Sequence, residues 1–238
     1  MWEQALSLDG GQLGWLSASE RARWATLHQP SRRKEFIACR WALRQVLSPD
    51  AAQAAQWQLG SEAGQPPTIH ASPPHAVRAD WHLSLSHSGS YVACAAAPQP
   101  VGVDMELLTP RRQRTSVPEM ASLVCAPAEW LHIQSLSTDA AQRACLLRFW
   151  SVKEAFFKCA GTGLDWAQLP RMVCIPWEDC SADLGALRAY ARVWEGQTGD
   201  GQAVVLSVCM QQPLPHCDAR MDADIVWHTV TDWALVQD

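Results

Sequence analysis

The chain has 238 residues, a formal net charge of −5 and a pI of about 5.9. Its 48% hydrophobic and 18% charged residues are typical of a globular protein with a sizeable core, in one large domain or two small ones. The acidic balance argues against a protein that follows nucleic acid by its phosphates, and no run approaches the roughly 18 consecutive apolar residues of a membrane span.

The nine cysteines are scattered, without a C-x-x-C pair or a Cys/His cluster, so the sequence predicts no zinc site. An odd number of cysteines without regular spacing is typical of reduced thiols in the cytosol. Residues 1–10 carry Glu3 and Asp9 and no apolar run, which does not fit a signal peptide. We therefore expect a cytoplasmic monomer that binds neither nucleic acid nor membrane.

The first half of the chain begins with a predicted helix over Ser31–Leu47, in which Phe36 and Leu43 follow the helical period. Arg33 and Arg40 lie on the same stripe, where an apolar residue is expected. Such a charge indicates either an anionic partner or a side chain whose head reaches water, and both alternatives remain open.

After a loop rich in Pro, Gly and Ala, the pattern predicts an antiparallel meander followed by an arginine-rich loop. The predicted parts are a strand Trp81–Ser86, a turn at residues 87–90, a strand Tyr91–Ala97, a strand Val101–Asp104 and a loop with Arg111, Arg112 and Arg114.

The second half is mostly helical over residues 117–160, and its clearest predicted helix is Cys145–Ala160, ended by Gly161. The tail predicts strands at Met172–Ile175, Leu187–Trp194, Ala203–Met210 and Ile225–Val230. Helices and strands thus occur in separate runs, which predicts an α+β fold and not alternating βαβ units.

Two acids at the end of a predicted strand, Asp104 and Glu106, are two positions apart and therefore point to one face. Paired carboxylates of this kind can hold magnesium together with phosphate oxygens of a substrate. Two solvated acids are the alternative.

A second pair, Glu154 and Lys158, lies four residues apart on one face of the predicted helix. A surface ion pair is the ordinary explanation. However, Trp150 shares the face of Glu154, which indicates an acid beside large aromatic rings.

A third feature is Ser84–Ser88, where His87 stands between serines at a strand-to-turn junction. A histidine with hydroxyls and turn amides can hold a phosphate, although a single turn histidine is often only exposed. The sequence contains no Walker loop, no dinucleotide-binding G-x-G-x-x-G after a strand and no G-x-S-x-G.

Taken in order, these segments resemble the surfactin-synthetase-activating type of 4′-phosphopantetheinyl transferase. The resemblance spans Arg33 to Leu164 and rests on four blocks: Arg33–Arg44, Ser84–Ser88, Val101–Glu106 and Trp150–Lys158. The G-x-D-x-E block followed by W-x-x-K-E-x-x-x-K is the most specific part.

The resemblance implies two similar α+β halves, 1–103 and 104–238, in a pseudo-twofold arrangement with the active site between them. It implies that coenzyme A binds in that cleft. The serine of an apo acyl or peptidyl carrier protein would attack the phosphate that bears pantetheine, releasing adenosine 3′,5′-bisphosphate.

The resemblance also implies roles for individual residues. Three acids would hold Mg²⁺: Asp104, Glu106 and Glu154. Glu154 would also be the base for the serine, since phosphoryl transfer needs mainly positioning, cations and a proton acceptor. The groups implied for coenzyme A are Lys158, Lys153, Arg40, Ser86, His87 and Ser88. The two lysines would neutralise phosphate charge, and His87 and Ser88, helped by Arg40, would hold the 3′-phosphate.

One departure from the family pattern concerns a lysine that usually stands in a G-K-P stretch. Its counterpart here is Gly64-Gln65-Pro66, so Gln65 replaces a cation. The resemblance therefore implies either weaker coenzyme A binding or compensation by Arg40 or the loop arginines.

Two other functions remain open. A magnesium-dependent phosphohydrolase could use the same three acids without a carrier protein. A degenerate module that binds coenzyme A or a carrier without turnover would fit the departure at Gln65.

Overall fold

A computed structural model describes residues 13–74, 76, 78, 80–108, 116–180, 187–214 and 224–237. The chain divides into two compact units, Met1–Val101 and Gly102–Asp238. Both contain helices and antiparallel strands, which confirms the predicted α+β class. The boundary after residue 103 and the pseudo-twofold relation stay predictions.

Two further expectations concern the membrane and the arginine loop. Over the described residues, no helix combines the length and the apolar character that crossing a membrane requires. The predicted loop with Arg111, Arg112 and Arg114 lies outside the described residues.

The first unit is built from a long helix, two short helices and two hairpins. Its elements are α1 (Ala18–Thr26), α2 (Pro30–Leu47), α3 (Ala51–Ala54), β1 (Gln58–Gly60), β2 (Thr68–Ala71), β3 (His82–Ser88) and β4 (Tyr91–Ala97). Strands β1 and β2 pair antiparallel, and so do β3 and β4. The turn between β3 and β4 is only two residues long, and Gly89 adopts a positive φ of 60° there.

Helix α2 is the centre of the first unit because it is apolar on two sides. Trp41 packs with Trp15 in an edge-on contact of 5.3 Å between ring centroids. Leu43 and Leu47 pack instead against Trp57 and the strands. Buried tryptophans therefore fill both halves of this core.

A buried ion pair fastens α1 to α2. Glu20 and Arg44 are fully buried, and Nη2 of Arg44 lies 2.6 Å from Oε2 of Glu20. Arg44 also donates to the backbone carbonyls of Trp15 and Trp57. Because a buried charge is costly without such partners, this network determines where α1 is attached.

The second unit is a five-stranded sheet covered by helices. Strand β5 (Val101–Leu107), which begins at the last residue of the first unit, is followed by α4 (Val117–Val124), α5 (Pro127–Ser135), α6 (Asp139–Ala160), β6 (Met172–Pro176), β7 (Leu187–Thr198), β8 (Ala203–Met210) and β9 (Ile225–Gln237). The strand order is β5-β8-β7-β9-β6, and β7 pairs antiparallel with both β8 and β9.

Helix α6 lies against the sheet on one side and contacts α4 and α5 on another. It therefore buries residues around much of its circumference, including Phe149, Val152 and Phe157. The helix ends where Gly161 adopts the left-handed conformation, with a φ of 67°, as the sequence predicts.

A glycine brings β5 close to α6. A Cβ atom on Gly102 would lie 1.8 Å from the carbonyl oxygen of Ala155 and 2.5 Å from the amide nitrogen of Cys159. Only a residue without a side chain permits this approach. The packing thus explains why a glycine occupies this position of the G-x-D-x-E block. It sets the distance between the strand and the helix that carry the candidate acids.

Several elements are longer than predicted. Helix α6 begins at Asp139, after the cap Thr138, and not at Cys145. Strand β3 continues to Ser88, because Ser88 pairs with Tyr91 across the tight turn. Strand β9 continues to Gln237, because its second half pairs with β6 and β7.

Candidate functional site

The two acids of β5 are not solvated. Every residue of this strand is buried, and the exposed fractions of Asp104 and Glu106 are 3% and 6%. Oε1 of Glu106 accepts a hydrogen bond of 2.6 Å from the indole Nε1 of Trp150 on α6. The structure thus brings the G-x-D-x-E block against the helix of the W-x-x-K-E block.

Lys158 joins one acid of the strand to the acid of the helix. Its Nζ lies 2.8 Å from Oδ1 of Asp104 and 3.8 Å from Oε2 of Glu154. Glu154 and Lys158 are one helical turn apart on α6, as predicted from their spacing. The pair is therefore more than a surface ion pair, because it includes a buried carboxylate of the neighbouring strand.

The donor chemistry of these residues fits a hard cation, since carboxylate oxygens are the ligands that Mg²⁺ prefers. Over the described ranges, no three His, Cys, Asp or Glu side chains already form a metal site. Lys158 now contacts two of the three acids, Asp104 and Glu154. Binding of one cation by all three acids would therefore require their side chains to change rotamer.

An exposed tryptophan, Trp166, packs beside Trp150 and was not singled out from the sequence. The rings of Trp166 and Trp150 are 5.9 Å apart between centroids, with planes tilted by 35°. Trp166 is 55% exposed, although it is a large aromatic residue. Trp166 follows α6 in a loop, so no helical or strand period in the sequence singles it out.

Lys153 is placed differently from its predicted role. The side chain is fully buried, and its Nζ lies 2.6 Å from Oε2 of Glu129. It also donates to the carbonyl oxygens of Val124 and Leu169 at 2.8 and 3.0 Å. This geometry disagrees with phosphate binding by Lys153, since its three donor positions are used inside the second unit.

Glu129, which the sequence reasoning missed, completes this buried network. Its two oxygens accept hydrogen bonds from the backbone amides of Ala126 and Cys174, each at 2.8 Å. Lys153 and Glu129 together link α6 to α5 and β6. The available signal was the position of Glu129 in the first turn of α5, where an acid caps the helix.

Three of the predicted phosphate-binding residues of the first unit, Ser86, His87 and Ser88, lie on β3. His87 is half-buried and pairs with Glu35 of α2, with 3.0 Å between Nε2 and Oε1. Ser86 is buried and Ser88 is partly buried. The predicted turn histidine is therefore a strand residue with an acidic neighbour, which the sequence reasoning did not identify.

Arg40 is held inside the first unit. Its Nη2 donates to Oγ of Ser61 at 2.8 Å, and its guanidinium lies 5.0 Å from the ring centre of Phe36. Burial lowers the pKa of Arg40, and the nearby carboxylate of Glu20 opposes this effect. The guanidinium of Arg40 therefore does not extend into water, which excludes that alternative. A phosphate would have to compete with Ser61 for this guanidinium.

Arg33 and Gln65 are less buried than Arg40. Arg33 donates from Nε to the carbonyl oxygen of Leu27 at 2.6 Å and lies 4.5 Å from the ring centre of Trp24. Gln65 is exposed in a turn where Gly64 has a positive φ of 75°. The predicted correspondence between Gln65 and a phosphate-binding lysine stays a prediction.

Comparison with known proteins gives a family match that begins two residues before the second unit and covers most of it. Residues 100–209 match the model described as the 4′-phosphopantetheinyl transferase superfamily. This range contains both blocks of the acidic cluster, from Gly102 to Glu106 and from Trp150 to Lys158.

Curated relatives agree with this match over parts of their length. A 4′-phosphopantetheinyl transferase HetI of Nostoc sp. is 30% identical over 63% of this chain and 61% of the relative. The 4′-phosphopantetheinyl transferase Sfp of Bacillus subtilis is 34% identical over 36% of this chain and 35% of the relative. A human L-aminoadipate-semialdehyde dehydrogenase-phosphopantetheinyl transferase is 33% identical over 36% of this chain and 28% of the relative.

The matched regions thus span between about a quarter and about three fifths of these relatives. The Sfp match agrees with the type that the sequence blocks resemble. On the family match over residues 100–209 and on these relatives, the chain is similar to proteins of the 4′-phosphopantetheinyl transferase superfamily.

Proposed function

We propose that this protein transfers the 4′-phosphopantetheine group of coenzyme A to a serine of an apo acyl or peptidyl carrier protein. The observation that carries the proposal is the contact of Lys158 with Asp104 and Glu154, which joins the two sequence blocks of the superfamily in one charged cluster. The other product is adenosine 3′,5′-bisphosphate.

Asp104, Glu106 and Glu154 are the proposed ligands of Mg²⁺. The cation would neutralise part of the pyrophosphate charge when bound. Asp104 and Glu106 are held by Lys158 and Trp150, respectively, on a strand whose residues are all buried. The buried strand fixes the backbone from which the two acids project, which suits a reaction that depends on positioning and on charge stabilisation.

Glu154 is the proposed base. Its side chain is 24% exposed, whereas that of Asp104 is only 4% exposed, so a carrier serine can reach Glu154 more easily. Glu154 would accept the serine proton as the serine oxygen bonds to phosphorus and the bond to the leaving phosphate breaks. Lys158, with 28% of its side chain exposed, would stabilise charge on the transferred group.

His87, with Ser86 and Ser88, is the proposed contact for the 3′-phosphate of coenzyme A. A protonated imidazole and neighbouring hydroxyls are suitable donors for a phosphate monoester. Arg40 would assist only if it exchanges its bond to Ser61 for a phosphate oxygen.

The proposal is tested by intact-mass spectrometry of several apo-carrier proteins after incubation with coenzyme A and MgCl₂. We expect a phosphopantetheine adduct on the carrier and none in excess chelator. Cleavage of coenzyme A without an adduct on any carrier would favour a phosphohydrolase. Binding of coenzyme A without cleavage or adduct would favour a module without catalytic activity.

A further inference from the structure

Glu35, which has no role in the transfer described above, forms an ion pair with His87 in the first unit. Oε1 of Glu35 on α2 lies 3.0 Å from Nε2 of His87 on β3. One turn earlier on α2, Nη1 of Arg32 donates to both carboxylate oxygens of Glu35, at 2.7 and 3.0 Å. The same oxygen of Glu35 is thus shared by an arginine and a histidine.

This pair is accessible to a ligand. The side chains of Arg32, Glu35 and His87 are 54%, 26% and 34% exposed. The pair of Glu20 and Arg44 in the same unit, in contrast, is fully buried. A partly exposed ion pair is worth only about 0.2–1 kcal/mol, so a charged ligand can replace one of its members.

The chemistry of the imidazole prevents a phosphate and the Glu35 carboxylate from binding Nε2 of His87 at the same time. Nε2 of a protonated histidine carries one N–H, which serves one acceptor well. A phosphate oxygen and the Glu35 carboxylate would meet there as two negative groups, and like charges at this distance repel each other. Arg32 already holds both oxygens of Glu35, so the carboxylate keeps a partner when it leaves His87.

We propose that Glu35 is an internal competitor for phosphate monoesters at His87, and that it weakens the binding of every ligand whose phosphate uses this histidine. The inference rests on the proposed role of His87 in binding the 3′-phosphate and adds a residue that tunes it. Coenzyme A and adenosine 3′,5′-bisphosphate carry the same 3′-phosphate. Glu35 therefore weakens substrate and product alike, which favours product release at a cost in substrate affinity.

The test is calorimetric titration of three ligands into the wild type and two variants. The ligands are coenzyme A, adenosine 3′,5′-bisphosphate and dephospho-coenzyme A, which lacks the 3′-phosphate. The variants are Glu35→Gln and, as a control in the same unit, Asp50→Asn, which removes one exposed charge and keeps a residue suited to the helix cap. A pH of about 6 keeps an ordinary imidazole largely protonated.

We expect Glu35→Gln to bind both 3′-phosphate ligands about twofold to fivefold more tightly than the wild type, the range of a partly exposed ion pair. Dephospho-coenzyme A should bind both proteins equally, and Asp50→Asn should match the wild type. In a His87→Ala background, the gain from Glu35→Gln should disappear.

The outcomes separate the inference from the function on which it rests. If the wild type prefers coenzyme A to dephospho-coenzyme A but Glu35→Gln binds it equally or more weakly, Glu35 orients His87 and the competition is rejected. A gain that persists in the His87→Ala background also rejects it. If the wild type does not distinguish the two ligands, the role of His87 in phosphate binding fails, and the inference fails with it.

Discussion

Lys153 and Glu154 are neighbours in the chain, yet they lie in opposite environments. Lys153 is fully buried between Glu129 and two backbone carbonyls, whereas 24% of the Glu154 side chain is exposed beside Lys158. Successive helix residues point about 100° apart, so one faces the packed helices and the other faces outward. The first stabilises the second unit, and the second is available for chemistry.

The first prediction concerns Glu154. Glu154→Gln keeps the shape of the side chain and one oxygen, but the amide cannot accept the serine proton. We expect turnover to fall by about 10² to 10⁴-fold with little change in coenzyme A affinity, as for loss of a general base. Transfer rates and calorimetric titration measure the two effects. A loss confined to Mg²⁺ affinity would make Glu154 a ligand only.

The second prediction concerns Lys153. Lys153→Met leaves Glu129 as a buried charge without its ammonium partner, so we expect a loss of about 3–5 kcal/mol in the free energy of unfolding. The double variant Lys153→Met/Glu129→Gln should recover part of this loss, because glutamine is neutral and can still accept a backbone amide. Urea unfolding measures both, with the exposed Lys34→Met as control. A stable single variant would contradict the structural role.

At the scale of elements, the approach of β5 to α6 forms the acidic cluster. Asp104 is two residues after Gly102, and the backbone oxygen of Asp104 accepts from Ser151 of α6 at 3.4 Å. The position of the carboxylates thus depends on a contact that has no space for a side chain.

The third prediction is that Gly102→Ala destabilises the second unit and impairs the site. Its Cβ atom would overlap the backbone of α6, so the strand or helix must shift, at a cost of about 1–3 kcal/mol or more. Gly199→Ala is the control, since its Cβ would meet its nearest neighbour, a backbone oxygen of Asp224, at an ordinary 3.7 Å. Thermal unfolding and transfer rates of both variants measure the effects. Equal stability of the two variants would show that the contact is not tight.

Many of the elements were predictable, because their signals are local, but the predicted meander was wrong at its third strand, since β5 pairs with β8 and not with β4. The period of Phe36 and Leu43 predicted α2, and Gly161 predicted the end of α6. The partners of buried charges were not predictable. Lys153 meets acceptors 16, 24 and 29 residues away, and no local pattern specifies such distances. The acids of β5 were predicted on one face, but their burial follows from the packing of the sheet.

At the scale of the whole molecule, both units contain buried cysteine thiols. Burial raises the pKa of Cys39 in the first unit and of Cys125 in the second from the ordinary 9.0 to about 12, with smaller effects of Glu35 and Glu129, respectively. The folded state therefore keeps these protons at pH values where the unfolded chain loses them.

The fourth prediction is that stability falls as the pH rises above 9. Between the unfolded and folded pKa values the folded state binds more protons, so each thiol lowers stability by up to about 1.4 kcal/mol per pH unit. Urea unfolding at several pH values measures this slope. Cys39→Ala/Cys125→Ala should have a smaller slope than the wild type, whereas Val193→Ala, which removes buried atoms but no titrating group, should keep it. An unchanged slope in the cysteine variant would contradict the prediction.

The central claim, that the Asp104 cluster catalyses transfer of phosphopantetheine, is tested most directly by one comparison. Peptide mass mapping follows a phosphopantetheine adduct on an apo-carrier protein with the wild type, Asp104→Asn and the exposed-acid control Asp179→Asn, each with saturating coenzyme A and MgCl₂. We predict an adduct on one carrier serine with the wild type and the control, and none with Asp104→Asn within the same time. Equal adduct formation by Asp104→Asn would contradict the claim.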